Sequence, residues 1–196
     1  MADFRTIVQA HGGQVYPWSQ ATILALKLMD PGGVCGACAL IWIKCQKKGT
    51  SFLQAINGDA GKQEFLYIAR LIMTEKRTLL VAGQSPVEFP NYAAVYLEDV
   101  KLKQQYEQMV AVGPNNEISI NTVIKLVSVP GFYYLIISDN ASAHSLAVNT
   151  YYNRFFEPNE GAATFTNREN MGSALGQWLR FEYPNMRGAG WVSKFA

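Results

Sequence analysis

The order of apolar and polar positions divides the chain into a helical first half and a second half rich in strands. In the first half, apolar residues recur at helical spacing, and Asp59 is a suitable cap for one such segment. The pattern of residues 1–20 is ambiguous. Helices are predicted over 21–29, 36–47, 59–76 and 97–110.

Short apolar runs between turn residues mark the second half. The run after Pro130 and Gly131 is dense enough for a buried strand over 132–138, the next strand is predicted over 143–150, and two short strands follow at 153–156 and 162–166. A closing helix is predicted over 167–181. Helices followed by an antiparallel sheet indicate an α+β fold, and the absence of repeats and linkers favours a single domain over residues 1–196.

The composition supports a folded protein and excludes several functional classes. Apolar residues make up 49% of the chain and charged residues 16%, which is sufficient for a large core. The net charge of +2 gives no reason to expect a nucleic-acid partner. No apolar run approaches the roughly 20 residues of a membrane span, and no N-terminal segment is typical of a cleaved signal peptide.

The three cysteines, Cys35, Cys38 and Cys45, lie within eleven residues of one another. Their odd number and close spacing are untypical of a disulfide framework, so we expect a reducing environment. A zinc site is also disfavoured, because the two histidines, His11 and His144, are far apart in the sequence. We expect no metal and no organic cofactor.

Cys35 is the candidate nucleophile, because it follows two glycines and precedes an apolar helix. The free N–H groups and the dipole of a helix start stabilise a thiolate. Two alternatives remain open: a buried structural thiol, or a redox pair with Cys38, which would require a βαβ context. Cys38, Trp42 and Cys45 form one helical stripe and are assigned to the core.

His144 and Glu157 are the candidate base and its orienting carboxylate. His144 begins an apolar strand after a polar turn, and Glu157 ends the following strand. If the two strands form a hairpin, the carboxylate reaches the imidazole and fixes its orientation. Alternatively, His144 is structural and Glu157 merely opens a turn with Pro158.

Three segments carry a resemblance to a known family. They are Gly33-Val-Cys35-Gly-Ala-Cys-Ala-Leu-Ile-Trp42, Ser142-Ala-His144-Ser-Leu-Ala and Phe155-Phe-Glu157-Pro-Asn-Glu-Gly161-Ala-Ala-Thr-Phe165. In residue types and in order they resemble the YopT/AvrPphB family of papain-like cysteine peptidases, which bacteria deliver into host cells. Residues 50–130 carry no such resemblance.

The resemblance implies a papain-like fold and a thiol protease that acts on a protein or peptide through a thioester, with Cys35, His144 and Glu157 as its catalytic triad. It also implies a bacterial virulence effector or toxin, exported without a cleaved signal peptide and acting in the cytoplasm of a target cell. An amidase, deamidase or acyltransferase would use the same triad, and a non-catalytic binding module would use the same scaffold. The sequence does not identify a cognate chaperone or inhibitor.

The chain departs from the family pattern at two places. Glu157 stands where the family usually has Asp, and the extra methylene moves the carboxylate by about 1.5 Å. Papain-like enzymes carry an amide side chain five or six residues before the nucleophile, where this chain has Asp30 and Met29. An ionised carboxylate would repel an oxyanion. Either Asp30 has another role, Gln20 or Gln14 supplies the amide, or catalysis is less efficient.

Overall fold

A computed structural model describes residues 3–22, 34–81, 91–110, 120–138, 143–184 and 190–196. Within these residues there are seven helices and seven strands. The helices are α1 (Phe4–Ala10), α2 (Val34–Lys48), α3 (Phe52–Asn57), α4 (Asp59–Val81), α5 (Asn91–Glu98), α6 (Ile120–Leu126) and α7 (Arg168–Glu182). The strands are β1 (Gln14–Pro17), β2 (Gln104–Val110), β3 (Phe132–Ser138), β4 (Ala143–Asn149), β5 (Arg154–Glu157), β6 (Gly161–Thr164) and β7 (Gly190–Phe195).

The strands form one antiparallel sheet in the order β1-β6-β5-β4-β3-β7-β2. β4 and β5 are neighbours in the sheet. Among their paired residues, Ala147 and Phe156 lie nearest to the start of β4. His144 lies three residues beyond that pair on β4, and Glu157 lies one residue beyond it on β5. The hairpin expected from the sequence therefore exists, and it brings both residues to the same end of the sheet.

Helices cover both faces of this sheet. One cluster of buried apolar residues joins α2, α4 and α5 to the face that carries Tyr134 and Ala147. A second cluster joins α1, α6 and α7 to the face that carries Tyr133 and Leu146. The alternation of strand side chains separates the two clusters. The predicted α+β class is confirmed, and none of the helices among the described residues is long and apolar enough to span a membrane.

α2 is the central helix of the first cluster. Ten of its fifteen residues are buried, which follows from a sequence that is apolar on every side until its last turn. Lys47 and Lys48 then complement the helix dipole. The predicted helix over 36–47 is correct to within two residues, and the stripe of Cys38, Trp42 and Cys45 is buried as expected.

Some other predicted helices and strands differ from the observed ones. The helix predicted over 97–110 is wrong: α5 ends at Glu98, and residues 104–110 form the edge strand β2, which pairs with β7. Lys101, between the two elements, has a φ of 58°. This left-handed conformation changes the chain direction, and a lysine in the sequence does not predict it. The helix predicted over 21–29 lies almost entirely outside the described residues. The predicted strands from 132 to 166 and the closing helix agree within two residues with β3 to β6 and α7.

Gly161 permits β1 to join the sheet next to the site. Its φ is +117°, and a Cβ atom there would lie 2.2 Å from the carbonyl oxygen of Tyr16 and 2.6 Å from the nitrogen of Trp18. The chain after β1 then follows the turn at 157–160, where Trp18 N donates to Glu160 O at 3.2 Å and Gln20 N donates to Pro158 O at 2.7 Å. The close approach of two backbones therefore requires glycine.

Gly161→Ala is expected to lower the free energy of unfolding by about 2–4 kcal/mol, because it adds a steric overlap to an unfavourable φ. Gly49→Ala is the matched control, since Gly49 has a φ of +66° and open space around the added carbon. Gly49→Ala should cost only about 1 kcal/mol. Urea denaturation measures both values, and equal losses would contradict the proposed steric role.

Candidate active site

Cys35 is the second residue of α2, within the helix turn whose N–H groups lack intrahelical partners. Cys35 is partly exposed, unlike the other two cysteines, which are buried. Its sulfur accepts hydrogen bonds from the backbone N–H groups of Gly36 and Ser145 and is hydrogen-bonded to the side chain of His144. The helix start, a neighbouring strand and an imidazole thus converge on one sulfur atom.

His144 stands at the start of β4 with 9% of its surface exposed. Its Nε2 atom lies 2.6 Å from Oε1 of Glu157. This leaves Nδ1 as the ring nitrogen available to the Cys35 thiol, with which the imidazole also forms a hydrogen bond. The structure therefore brings together the three residues that the sequence selected, in the order thiol, imidazole, carboxylate.

The Glu157 side chain is completely buried and accepts four hydrogen bonds. Oε1 accepts from His144 Nε2 and, at 3.0 Å, from the backbone N–H of Asn159. Oε2 accepts from Trp178 Nε1 at 3.4 Å and from the Tyr183 hydroxyl at 3.1 Å. A buried carboxylate is costly unless such donors surround it, so these contacts make its position possible.

Tyr183 contacts both the base and its carboxylate. Its ring stacks on the imidazole of His144 with a centroid distance of 5.4 Å and an interplanar angle of 24°, while its hydroxyl bonds to Glu157. Sequence reasoning missed Tyr183, Trp178 and Asn159. The apolar stripe of the last helix would have placed Trp178 on the sheet side, and the turn residues after Glu157 would have suggested a local bond to Asn159.

The contacts favour the charged forms of Cys35 and His144. Burial raises the pKa of the Cys35 thiol, but the hydrogen bond and charge of His144 and the two backbone N–H groups outweigh it, so the net shift is downward. Burial likewise opposes protonation of His144, yet its bonds to Cys35 and Glu157 and their negative charges raise the pKa of His144 to about 10. Both shifts favour a thiolate paired with an imidazolium.

The other thiols have the opposite environment. Burial raises the pKa of Cys38 well above its usual value, and the charge of Cys35 raises it further. Burial also raises the pKa of Cys45. Both lie inside the first apolar cluster, at 0% and 4% exposure respectively. Their surroundings are those of structural core residues.

The described residues include Gln14 and Gln20, the two glutamines that the sequence offers as a source of the oxyanion donor. Asp30 and Met29 lie outside the described residues. Gln14 is exposed and pairs with Thr164, at the end of β1 that is remote from Glu157. Gln20 lies at the near end: its Nε2 atom is 2.5 Å from Oδ1 of Asn159, and its Oε1 atom is buried and has no hydrogen-bond partner among the described residues. Of the two glutamines, Gln20 therefore lies beside the Glu157 turn.

The fold is similar to that of a protein of known structure. No protein-family model matches the sequence, and no curated protein shows significant sequence similarity to it. Among solved structures, the crystal structure of the Pseudomonas avirulence protein AvrPphB superimposes with a TM-score of 0.70, over 96% of this chain and 99% of that one. The chain has the fold of AvrPphB. Sequence identity is 14%, so the comparison establishes a shared fold, and the chemistry is argued from the site.

Alkylation by iodoacetamide at pH 6.5 is expected to modify Cys35 at least about tenfold faster than Cys38 or Cys45, because, of the three cysteines, only Cys35 has a lowered pKa and only Cys35 is partly exposed. Mass spectrometry of proteolytic peptides measures the three rates. Protein unfolded in guanidinium chloride is the control, in which the three thiols should react alike. Equal modification of Cys38 in the folded chain would instead support a redox pair.

Glu157→Gln should shift the pH midpoint of Cys35 alkylation upward and slow the reaction at pH 6.5 by about tenfold or more. Removing the carboxylate charge lowers the pKa of His144, and the weaker imidazolium in turn raises the pKa of the thiol. Glu160→Gln makes the same change on the same turn, outside the contact with His144, and should leave the midpoint unchanged. A normal midpoint in folded Glu157→Gln would contradict the orienting role.

Proposed function

We propose that the chain is a cysteine protease with Cys35 as nucleophile, His144 as general acid and base, and Glu157 as the residue that orients His144. The observation that supports this most strongly is the uninterrupted run of hydrogen bonds from a thiol at a helix start, through an imidazole, to a fully buried carboxylate. The chain shares its fold with AvrPphB, and the family that the sequence motifs resemble takes part of its name from AvrPphB. The shared fold therefore supports the same proposal.

In the first half of the reaction, the Cys35 thiolate attacks the carbonyl carbon of a peptide bond and forms a C–S bond. The C–N bond then breaks as His144 transfers its proton to the departing nitrogen, leaving a thioester on Cys35 and releasing an amine. Backbone N–H groups in the first turn of α2 stabilise the negative charge that develops on the carbonyl oxygen.

Water completes the cycle. His144, now neutral, takes a proton from a water molecule whose oxygen attacks the thioester carbon. The C–S bond breaks, a carboxylic acid leaves, and the thiolate–imidazolium pair is restored. Glu157 moves no proton; it holds the imidazole with Nδ1 toward the sulfur throughout, because its second oxygen is tied to Trp178 and Tyr183.

The place of action forms part of the same proposal. Within the described residues, Cys35, Cys38 and Cys45 are all free thiols, as a reducing compartment would keep them. This suits a bacterial effector or toxin that acts in the cytoplasm of a target cell on a protein substrate. AvrPphB, the protein that shares the fold, is an avirulence protein of Pseudomonas.

Cys35→Ala is expected to abolish proteolysis, whereas Cys45→Ala, which changes a buried thiol on the same helix, should retain most of it. Each variant and the wild type are incubated with a eukaryotic or a bacterial lysate, and new protein N-termini are quantified by mass spectrometry. New N-termini produced by the wild type and missing with Cys35→Ala support the proposal.

Other outcomes identify other reactions. Deamidated glutamines, new isopeptide links or cleaved peptidoglycan that depend on Cys35, without new N-termini, would assign the same triad to an amidase, deamidase or acyltransferase. Activity that persists in Cys35→Ala would contradict the proposed nucleophile itself.

A further inference from the structure

A chain of buried hydroxyl groups lies behind the candidate nucleophile. The hydroxyls of Tyr92 and Tyr134 are 2.9 Å apart, and the Tyr134 hydroxyl is 3.0 Å from Oγ of Ser145. Tyr134 is fully buried and Ser145 is 6% exposed. This hydroxyl chain, Tyr92–Tyr134–Ser145, lies on the face of the sheet that packs against α2, whereas His144 and Glu157 meet α7 on the opposite face.

α2 rests directly on the hydroxyl chain. A Cβ atom on Gly36 would lie 2.8 Å from the Tyr134 hydroxyl oxygen and 3.7 Å from Oγ of Ser145. The residue that follows Cys35 therefore leaves just enough room for the Tyr134 hydroxyl against the helix backbone. At this point the start of α2 therefore packs directly over the Tyr134 hydroxyl.

Ser145 connects the hydroxyl chain to the candidate active site. Its side chain bonds to Tyr134, its backbone N–H donates to the Cys35 sulfur, and its preceding neighbour in the sequence is His144. Because side chains alternate along a strand, His144 and Ser145 point to opposite faces of the sheet. A shift of Ser145 would therefore displace both a hydrogen bond to the thiolate and the backbone that carries the base.

The far end of the hydroxyl chain is anchored as well. The carboxylate of Glu75 on α4 accepts hydrogen bonds from the backbone N–H of Asn91 at 3.0 Å and from that of Tyr92 at 2.7 Å. This fixes the first turn of α5 and, with it, the Tyr92 side chain. The hydroxyl chain consequently spans from the α4–α5 contact to β4.

The tyrosines keep their protons beside the thiolate. Burial raises the pKa of both Tyr92 and Tyr134, and the negative charge of Cys35 raises each pKa further. Both hydroxyls thus remain neutral donors over the range in which Cys35 is ionised, and they are close enough to respond to its charge.

We infer that Tyr134 is a positioning residue for the nucleophile: its hydroxyl, seated between Gly36 and Ser145, holds the start of α2 against β4 so that the Ser145 N–H and His144 meet the Cys35 sulfur. The inference rests on the proposed role of Cys35. It assigns to Tyr134 and Ser145 a function that no pattern in their sequence indicates.

Tyr134→Phe and Tyr133→Phe form a matched pair that tests the inference. Tyr133 is the preceding buried residue of β3, and its hydroxyl donates to the Val129 carbonyl at 2.6 Å on the other face of the sheet. Each substitution removes one hydroxyl from the same strand: Tyr134→Phe breaks the bonds to Tyr92 and Ser145, and Tyr133→Phe breaks the bond to Val129. The measurements are thermal unfolding and the rate of Cys35 alkylation by iodoacetamide between pH 5 and 10.

Both variants are expected to lose stability, Tyr134→Phe the more because it breaks two hydrogen bonds, but only Tyr134→Phe should shift the alkylation midpoint upward and slow alkylation at pH 6.5, by about fivefold. Ser145→Ala removes the other end of the same bond and should act in the same direction, which provides a second reading if Tyr134→Phe fails to fold. A small upward shift in Ser145→Ala and none in Tyr133→Phe also supports the inference.

An unshifted midpoint in folded Tyr134→Phe or Ser145→Ala, with the wild-type thiol already reactive at pH 6.5, would overturn this inference alone. The same shift in Tyr133→Phe would also overturn it, since the effect would then reflect general weakening of the strand. A wild-type Cys35 with the pH profile of an ordinary thiol would overturn the proposed function first, and this inference with it.

Discussion

The buried carboxylate of Glu157 is the constraint on which this end of the molecule depends. A negative charge enclosed by protein needs donors on all sides, and here they come from four separate places: β4, the turn after β5, α7 and the residue after α7. To supply them, the β4–β5 hairpin, the turn and the last helix must all be in place. His144 is itself one of the four donors, so the contacts that enclose the charge also orient the imidazole.

The relation to AvrPphB illustrates what a fold preserves. At 14% identity few side chains are shared, yet the two structures superimpose over nearly their full lengths. What the present chain shows is a buried central helix with a thiol in its first turn and a sheet with apolar residues on both faces. These features depend on residue class and spacing more than on identity, because cores accept many combinations of apolar residues of suitable volume.

The sequence allowed most of the local structure around the site to be predicted, because local signals act there. Pro130, Gly131 and the residues 158–161 separate strands that are short and strongly apolar, and Asn167 caps α7 through its bond to the Asn170 N–H. The strands β2 and β7 were not predicted, because they pair residues that are far apart in the chain and no local sequence pattern indicates that pairing. The same holds for Tyr183, whose contact with Glu157 spans 26 residues. Tyr92 and Tyr134 resemble any other core aromatic until their hydroxyls are seen to meet.

The two neighbouring residues His144 and Ser145 belong to different layers of the molecule. One is held by the α7 layer through Glu157 and Tyr183, and the other by the α2 layer through Tyr134. The sulfur is reached from both, so the two layers meet at a single peptide unit. The geometry of the site therefore depends on how the two helical layers are aligned across the sheet. If one layer shifts by a fraction of an ångström against the other, the thiolate loses its contact with either Ser145 or His144, while both apolar clusters remain intact.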